Sequence, residues 1–272
     1  MLAAEPAQVE VDLDRRFGSL ARLYGADGAV KIRAAHAVVV GLGGVGSWAA
    51  EALARSGVAQ LTLIDLDHIA ESNVNRQIHA LTPTLGQAKV QAMKERIGLI
   101  NPLCKVNCIE EFVDETNWPD LAGFASDSGE SLSVIDACDQ VKAKTAMAAW
   151  ALEHPGGRKN QRIQFITVGA AGGKRHAHKV DVDDLALTTH DPLLAQLRYR
   201  LRKTHGAARH GKIGVNCVFS RESVMQPSAA LTGEGDAATD GSLNCHGYGS
   251  VVSVTATFGI CAAGWVLDKI AA

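Results

Sequence analysis

The chain has 272 residues, 47% of them hydrophobic and 21% charged, which is enough for one large α/β domain or one domain with an appended lobe. Its formal net charge of -2 excludes a generic polyanion binder, so any nucleic-acid contact must come from a local patch. The six cysteines, at 104, 108, 138, 217, 245 and 261, make no C-x-x-C pair, which argues against a structural zinc site and a dense disulfide framework.

Met1 to Asp14 lack a basic-then-apolar leader pattern, so the expected compartment is the reducing cytoplasm. Ala37-Val38-Val39-Val40 predicts a buried strand over 37–41, and a helix follows over 46–56. Further strands are expected at 61–65, 105–109, 132–137 and 164–169. Helices are expected at 86–100 and 142–153. The first of these carries Val90, Met93, Ile97 and Ile100 at helical spacing and stops at Asn101-Pro102. This alternation predicts an α/β fold with a mostly parallel sheet and helices on both faces.

Beyond Gly173 the regularity breaks. Lys179 to Val182 suggests one more strand. Asp191-Pro192 opens a helix with Leu193, Leu194, Leu197 and Leu201 on one stripe. Residues 226–247 read as a long loop. Gly247 to Leu267 holds no charged residue and is long enough to cross a bilayer, but its Ser, Thr, Gly and Ala content favours a buried core or interface helix. With no clear linker, 15–272 is expected to be a single domain, with a nucleotide core over 36–172 and a C-terminal extension over 173–272.

Between the first strand and helix lies Gly41-Leu42-Gly43-Gly44-Val45-Gly46-Ser47. Gly41, Gly43 and Gly46 match G-x-G-x-x-G, whose glycines allow a tight turn, close approach to phosphate, and close helix–sheet packing. The helix N-terminus behind them offers free N–H groups to an anion. Asp65 ends the second strand, placed to bond ribose hydroxyls. These features alone suit an NAD enzyme, a flavin enzyme or an ATP-using protein.

Five motifs taken together are more specific. Gly41–Ser47, Asp65-Leu66-Asp67, Ser72-Asn73 with Arg76-Gln77, Gly86-Gln87-Ala88-Lys89, and Asp136-Ala137-Cys138-Asp139 resemble the adenylating domain of ubiquitin-activating-type enzymes. Arg16-Phe17-Gly18, Ala21 to Gly25, Gly214 to Ser220 and Val254 to Gly259 resemble, within that superfamily, the tRNA threonylcarbamoyladenosine dehydratases. The resemblance implies a Rossmann-like fold, ATP and Mg²⁺ as cofactors, and tRNA carrying threonylcarbamoyladenosine as substrate. It implies ATP contacts from Gly41, Gly43, Gly44, Gly46, Asp65, Asp67, Asn73, Arg76 and Lys89. It makes Arg76 and Lys89 the phosphate cations and Asp139 the metal carboxylate.

Many members of the superfamily supply a further arginine in trans from a partner subunit. Here that position holds Ser19, leaving Arg22 or Arg16 to replace it, and such a cation implies a homodimer. A sulfurtransferase-system partner is a further implication. Cys217, and Cys245 beside His246, are candidate nucleophiles.

From Pro192 to Lys212 there is no acidic residue, while Arg198, Arg200, Arg202, Lys203, Arg209 and Lys212 form a local basic patch suited to a tRNA backbone. Lys174, Arg175, His176, His178 and Lys179 make a second cluster, and Tyr199 could stack on a base. The alternatives are adenylation of the C-terminal glycine of a ubiquitin-like sulfur carrier, an NAD-dependent oxidoreductase, and a nucleotide-sensing scaffold.

Overall fold

The computed structural model describes residues 11–123, 132–154, 163–226 and 248–272. A short helix α1 (Leu13–Phe17) leads into α2 (Ser19–Ala34), neither of which periodicity announced. The central elements follow as β1 (His36–Val40), α3 (Gly46–Arg55), β2 (Gln60–Ile64), α4 (Lys89–Ile100), β3 (Lys105–Ile109), β4 (Leu132–Asp136), α5 (Val141–Glu153) and β5 (Ile163–Val168). The chain ends with β6 (Val180–Asp184), α6 (Pro192–Thr204), β7 (Asn216–Ser220) and α7 (Val252–Ala271).

The seven strands form one sheet in the order β3-β2-β1-β4-β5-β7-β6. All neighbours are parallel except β6, which pairs antiparallel with β7. β7 and β6, both beyond Gly173, therefore extend the same sheet. Successive strand side chains point to opposite faces, and the core divides accordingly. Ala37, Val39, Leu61 and Leu63 pack against α3, α4 and α7 on one face, and Val38, Val40, Val134 and Phe219 pack against α5 and α6 on the other. The near-continuous apolar run of β1 and the complete burial of β4 are what a sheet covered on both faces requires.

One expectation needs correction, and another keeps its character with shifted bounds. The helix expected from residue 86 begins at Lys89, because Gly86 adopts φ +81° and Ala88 is held in an antiparallel bridge with His68. The uncharged stretch expected over 247–267 forms α7 from Val252. That helix is long and apolar enough to cross a membrane, yet half of its most apolar window is buried within the protein. Val254, Phe258, Ala262 and Val266 turn inward onto α3, α2 and the sheet. The loop expected over 226–247, with Cys245 and His246, falls outside the described residues beyond Gln226.

Candidate active site

The chain runs from β1 outward through β2 and β3, then crosses back to β4 on the other side of β1. That reversal leaves a crevice at the carboxyl ends of the strands, the usual ligand position in open α/β sheets. A cavity of about 370 Å³ occupies it. Gly41, Gly43, Gly44, Asp65, Asp67, Asn73, Arg76, Lys89 and Asp139 line this cavity, whereas Gly46, expected among the ATP contacts, does not, because it packs against the Gly41 carbonyl and Ala137.

The loop geometry explains its glycines. Gly41 has φ +84°, and a Cβ on it would press against the Ala137–Cys138 backbone. A Cβ on Gly46 would collide with the Gly41 carbonyl. Gly43 has open space instead, the room a phosphate needs beside the backbone.

Asp65 is 8% exposed and fixed by two backbone donors. Leu42 N–H donates to its Oδ2 at 2.6 Å and Asp67 N–H to its Oδ1 at 2.9 Å. Burial pushes its carboxyl up, while the Lys89 ammonium and these amides pull the other way without cancelling the rise. Lys89, which a surface reading would place in solvent, is only 6% exposed. Its Nζ donates to Asp67 Oδ2 at 2.7 Å and lies 3.7 Å from Asp65 Oδ1.

Asn73 acts locally. Its Oδ1 accepts from Ala70 N at 3.1 Å and closes the turn Glu71–Asn73. That turn holds the backbone from which Arg76 projects. Arg76 Nη1 donates to Ser72 O at 2.7 Å and to Asn75 Oδ1 at 2.9 Å, and its aliphatic stem flanks Gly44. Trp48 Nε1 secures the Arg76 carbonyl at 2.9 Å. Asp139 follows β4, is exposed on the cavity wall, and among the described residues has no hydrogen-bond partner. Mg²⁺ asks the protein for only one or two carboxylates because it shares the phosphates, so this free carboxylate fits it.

The remaining candidates separate. Arg16 donates to Ile100 O at 2.7 Å and Arg22 is exposed on α2, and neither lines the cavity. Cys217 is fully buried in β7, and burial pushes its thiol well up, which is unsuited to a nucleophile. Cys138 lines the cavity, but burial and the Asp136 carboxylate push its thiol up as well.

On α6 the four leucines face inward, and Arg200, Lys203, Arg209 and Lys212 stand exposed on α6 and the loop after it. Arg202 is half-buried, with Nε donating to Ala208 O at 3.1 Å, and Lys203 lies over the Tyr199 ring. Arg198 departs from the expected patch: its Nη1 donates to Leu185 O, Thr188 O and Thr188 Oγ1 at 2.9 to 3.1 Å, so it braces the segment before the helix. Lys174 leaves the second cluster for the same kind of reason, buried and bonded to His190 O and Glu222 O.

Sequence reading gave no site role to Lys144, Thr167 or Thr255, the last noted only within the Val254–Gly259 run. Lys144 and Thr167 are buried beneath the cavity floor, and Thr255 brings α7 to the cavity wall. A lysine in the first turns of a helix looks like a solvated one, and nothing in the spacing distinguishes it.

Fold and site together define an α/β nucleotide-binding protein with a glycine loop, two cations and an exposed carboxylate around one cavity. The sequence matches the ThiF family over residues 15–271, and the chain belongs to that family. It is 43% identical to the tRNA threonylcarbamoyladenosine dehydratase of Escherichia coli K12 over 267 residues, which is 95% of this chain and 94% of that one. The Haemophilus influenzae protein of the same name is 40% identical over 260 residues, 94% of each chain. A crystal structure of the Escherichia coli dehydratase in complex with ATP superposes with a TM-score of 0.80 at 40% identity, covering 96% of both chains.

Proposed function

We propose that this protein uses ATP to dehydrate the threonylcarbamoyl group of modified adenosine in tRNA, closing it to a ring. The observation that carries this reading is the end-to-end likeness to the dehydratases, which includes the part of the chain beyond the nucleotide core. An ATP-shaped site alone would not choose a substrate.

The chemistry fits the cavity. A carboxylate oxygen of the threonyl group attacks the α-phosphorus of ATP, and pyrophosphate leaves. Arg76 and Lys89 neutralise the phosphates, the glycine loop receives them on its backbone, and Asp65 holds the ribose. Bound Mg²⁺ would supply further charge neutralisation at the phosphates, held by Asp139. A carbamoyl nitrogen then attacks the activated carbonyl, the ring closes, and AMP departs with the former carboxylate oxygen. Both reacting groups sit on one nucleoside, so proximity supplies much of the rate and no enzyme thiol is needed.

The exposed basic residues on and after α6 would carry the tRNA backbone. A homodimer supplying Arg22 or Arg16 in trans, a cytoplasmic location and a sulfurtransferase-system partner complete the proposal. Mass analysis of nucleosides from treated tRNA tests it: a product lighter by one water, formed only with ATP, is expected. A ubiquitin-like carrier accepting AMP on its C-terminal glycine, with tRNA inert, would favour the sulfur-carrier reading.

A further inference from the structure

We propose that Lys144 is a positioning residue which, through Asp136, sets the turn carrying Asp139 into the cavity. This rests on the reading of Asp139 as the metal carboxylate.

Lys144 is 0% exposed and lies in the first turns of α5, where the helix dipole opposes a cation. A buried charge survives only when paired and fully hydrogen bonded. Its ammonium has three N–H groups and finds three acceptors: Asp136 Oδ2 at 3.0 Å, Thr167 Oγ1 at 3.0 Å and Asp136 O at 3.3 Å. The Thr167 hydroxyl donates onward to Asp136 Oδ2 at 2.6 Å. One carboxylate oxygen is thus occupied by β5 and α5.

The other oxygen faces forward into the turn. Asp136 Oδ1 accepts from Cys138 N at 3.3 Å and from Cys138 Sγ at 3.0 Å. Asp139 is the next residue. The turn is tied to the glycine loop too, since Ala137 N donates to Val40 O at 2.8 Å and its backbone abuts Gly41. Asp136, Lys144 and Thr167 do not line the cavity, whereas Ala137, Cys138, Asp139 and Gln140 do. The network therefore acts on the site without touching a ligand. Removing the ammonium leaves a buried carboxylate short of a partner and releases the grip on the turn.

The test compares Lys144→Met, Thr167→Val and Asp139→Asn by thermal unfolding and by equilibrium binding of ATP with and without Mg²⁺. Thr167→Val keeps the side-chain shape and remains informative should Lys144→Met fail to fold. The expected result is unchanged binding of metal-free ATP and a Mg²⁺ requirement raised about tenfold or more in the Lys144 and Thr167 variants, as for other outer-shell supports. An unchanged Mg²⁺ requirement in folded Thr167→Val, with Asp139→Asn impaired, would overturn the positioning role alone. An unchanged requirement in Asp139→Asn would overturn the reading of Asp139 itself.

Discussion

Gly259 of α7 packs directly against the Val45 carbonyl at the head of α3: a Cβ there would overlap that oxygen and stand 2.9 Å from Ala49 N. Four residues earlier, Thr255 lines the cavity and abuts Gly44. Helix α7 thus buttresses the glycine loop between β1 and α3. Gly259→Ala should destabilise by about 1–3 kcal/mol through overpacking and weaken ATP binding. Gly264→Ala, with nothing near its Cβ, is the control and should be neutral or slightly stabilising. Thermal melts and ATP titrations of both variants check this, and an unperturbed Gly259→Ala protein would contradict the buttress.

Lys89 stands with Asp65 and Asp67 in the cavity wall, the cation nearest the proposed ribose acid. Lys89→Met should lower AMP formation about 100-fold or more, the scale of losing one transition-state charge contact. Asp67→Asn leaves Lys89 with Asp65 and should cost less. Steady-state AMP release compares the two; a Lys89→Met enzyme close to the parent would remove Lys89 from the mechanism.

His79 gives the protein a pH signature. It is 1% exposed, and among the described residues neither ring nitrogen is hydrogen bonded. Burial, then the Lys89 and Arg96 charges, lowers its pKa from 6.5 to about 4. The unfolded chain therefore binds the proton first as pH falls. Stability from a neutral His79 is complete above the unfolded value and is lost as pH drops toward the folded one, by about 3 kcal/mol at pH 4. His79→Leu should flatten the melting temperature over that window. An equally steep profile in the variant would assign the acid sensitivity elsewhere.

The basic surface divides into residues that face solvent and others, Arg198 among them, that brace the fold. Combined alanine substitution of Arg200, Lys203, Arg209 and Lys212 should weaken tRNA binding and reduce its salt dependence, leaving ATP binding intact. Arg198→Ala should instead lower the melting temperature, because it strips three bonds from the Leu185–Thr188 segment. Filter binding across a salt series separates the two; equal tRNA affinity in the fourfold variant would move the docking face elsewhere.

Much of this architecture was legible in the sequence because it depends on local periodicity. Val38, Val39 and Val40 announced a strand, and Val90, Met93 and Ile97 a buried helix stripe. Gly41, Gly43 and Gly46 announced the turn between strand and helix. What escaped was long-range. The spacing of Gly259 cannot say that it meets Val45, and the charge of Arg198 cannot say that it is spent on Leu185 and Thr188. Lys144 is the sharpest case, since its partners Asp136 and Thr167 come from two different strands.

Activation as an acyl-adenylate requires a carboxylate oxygen to pass to AMP. The most direct measurement uses tRNA whose threonyl carboxylate carries heavy oxygen, with the released AMP examined by mass spectrometry. One heavy oxygen in AMP, released together with pyrophosphate and one water lost from the nucleoside, is the predicted result. Unlabelled AMP, or ATP cleaved to ADP and phosphate, would contradict activation through an acyl-adenylate.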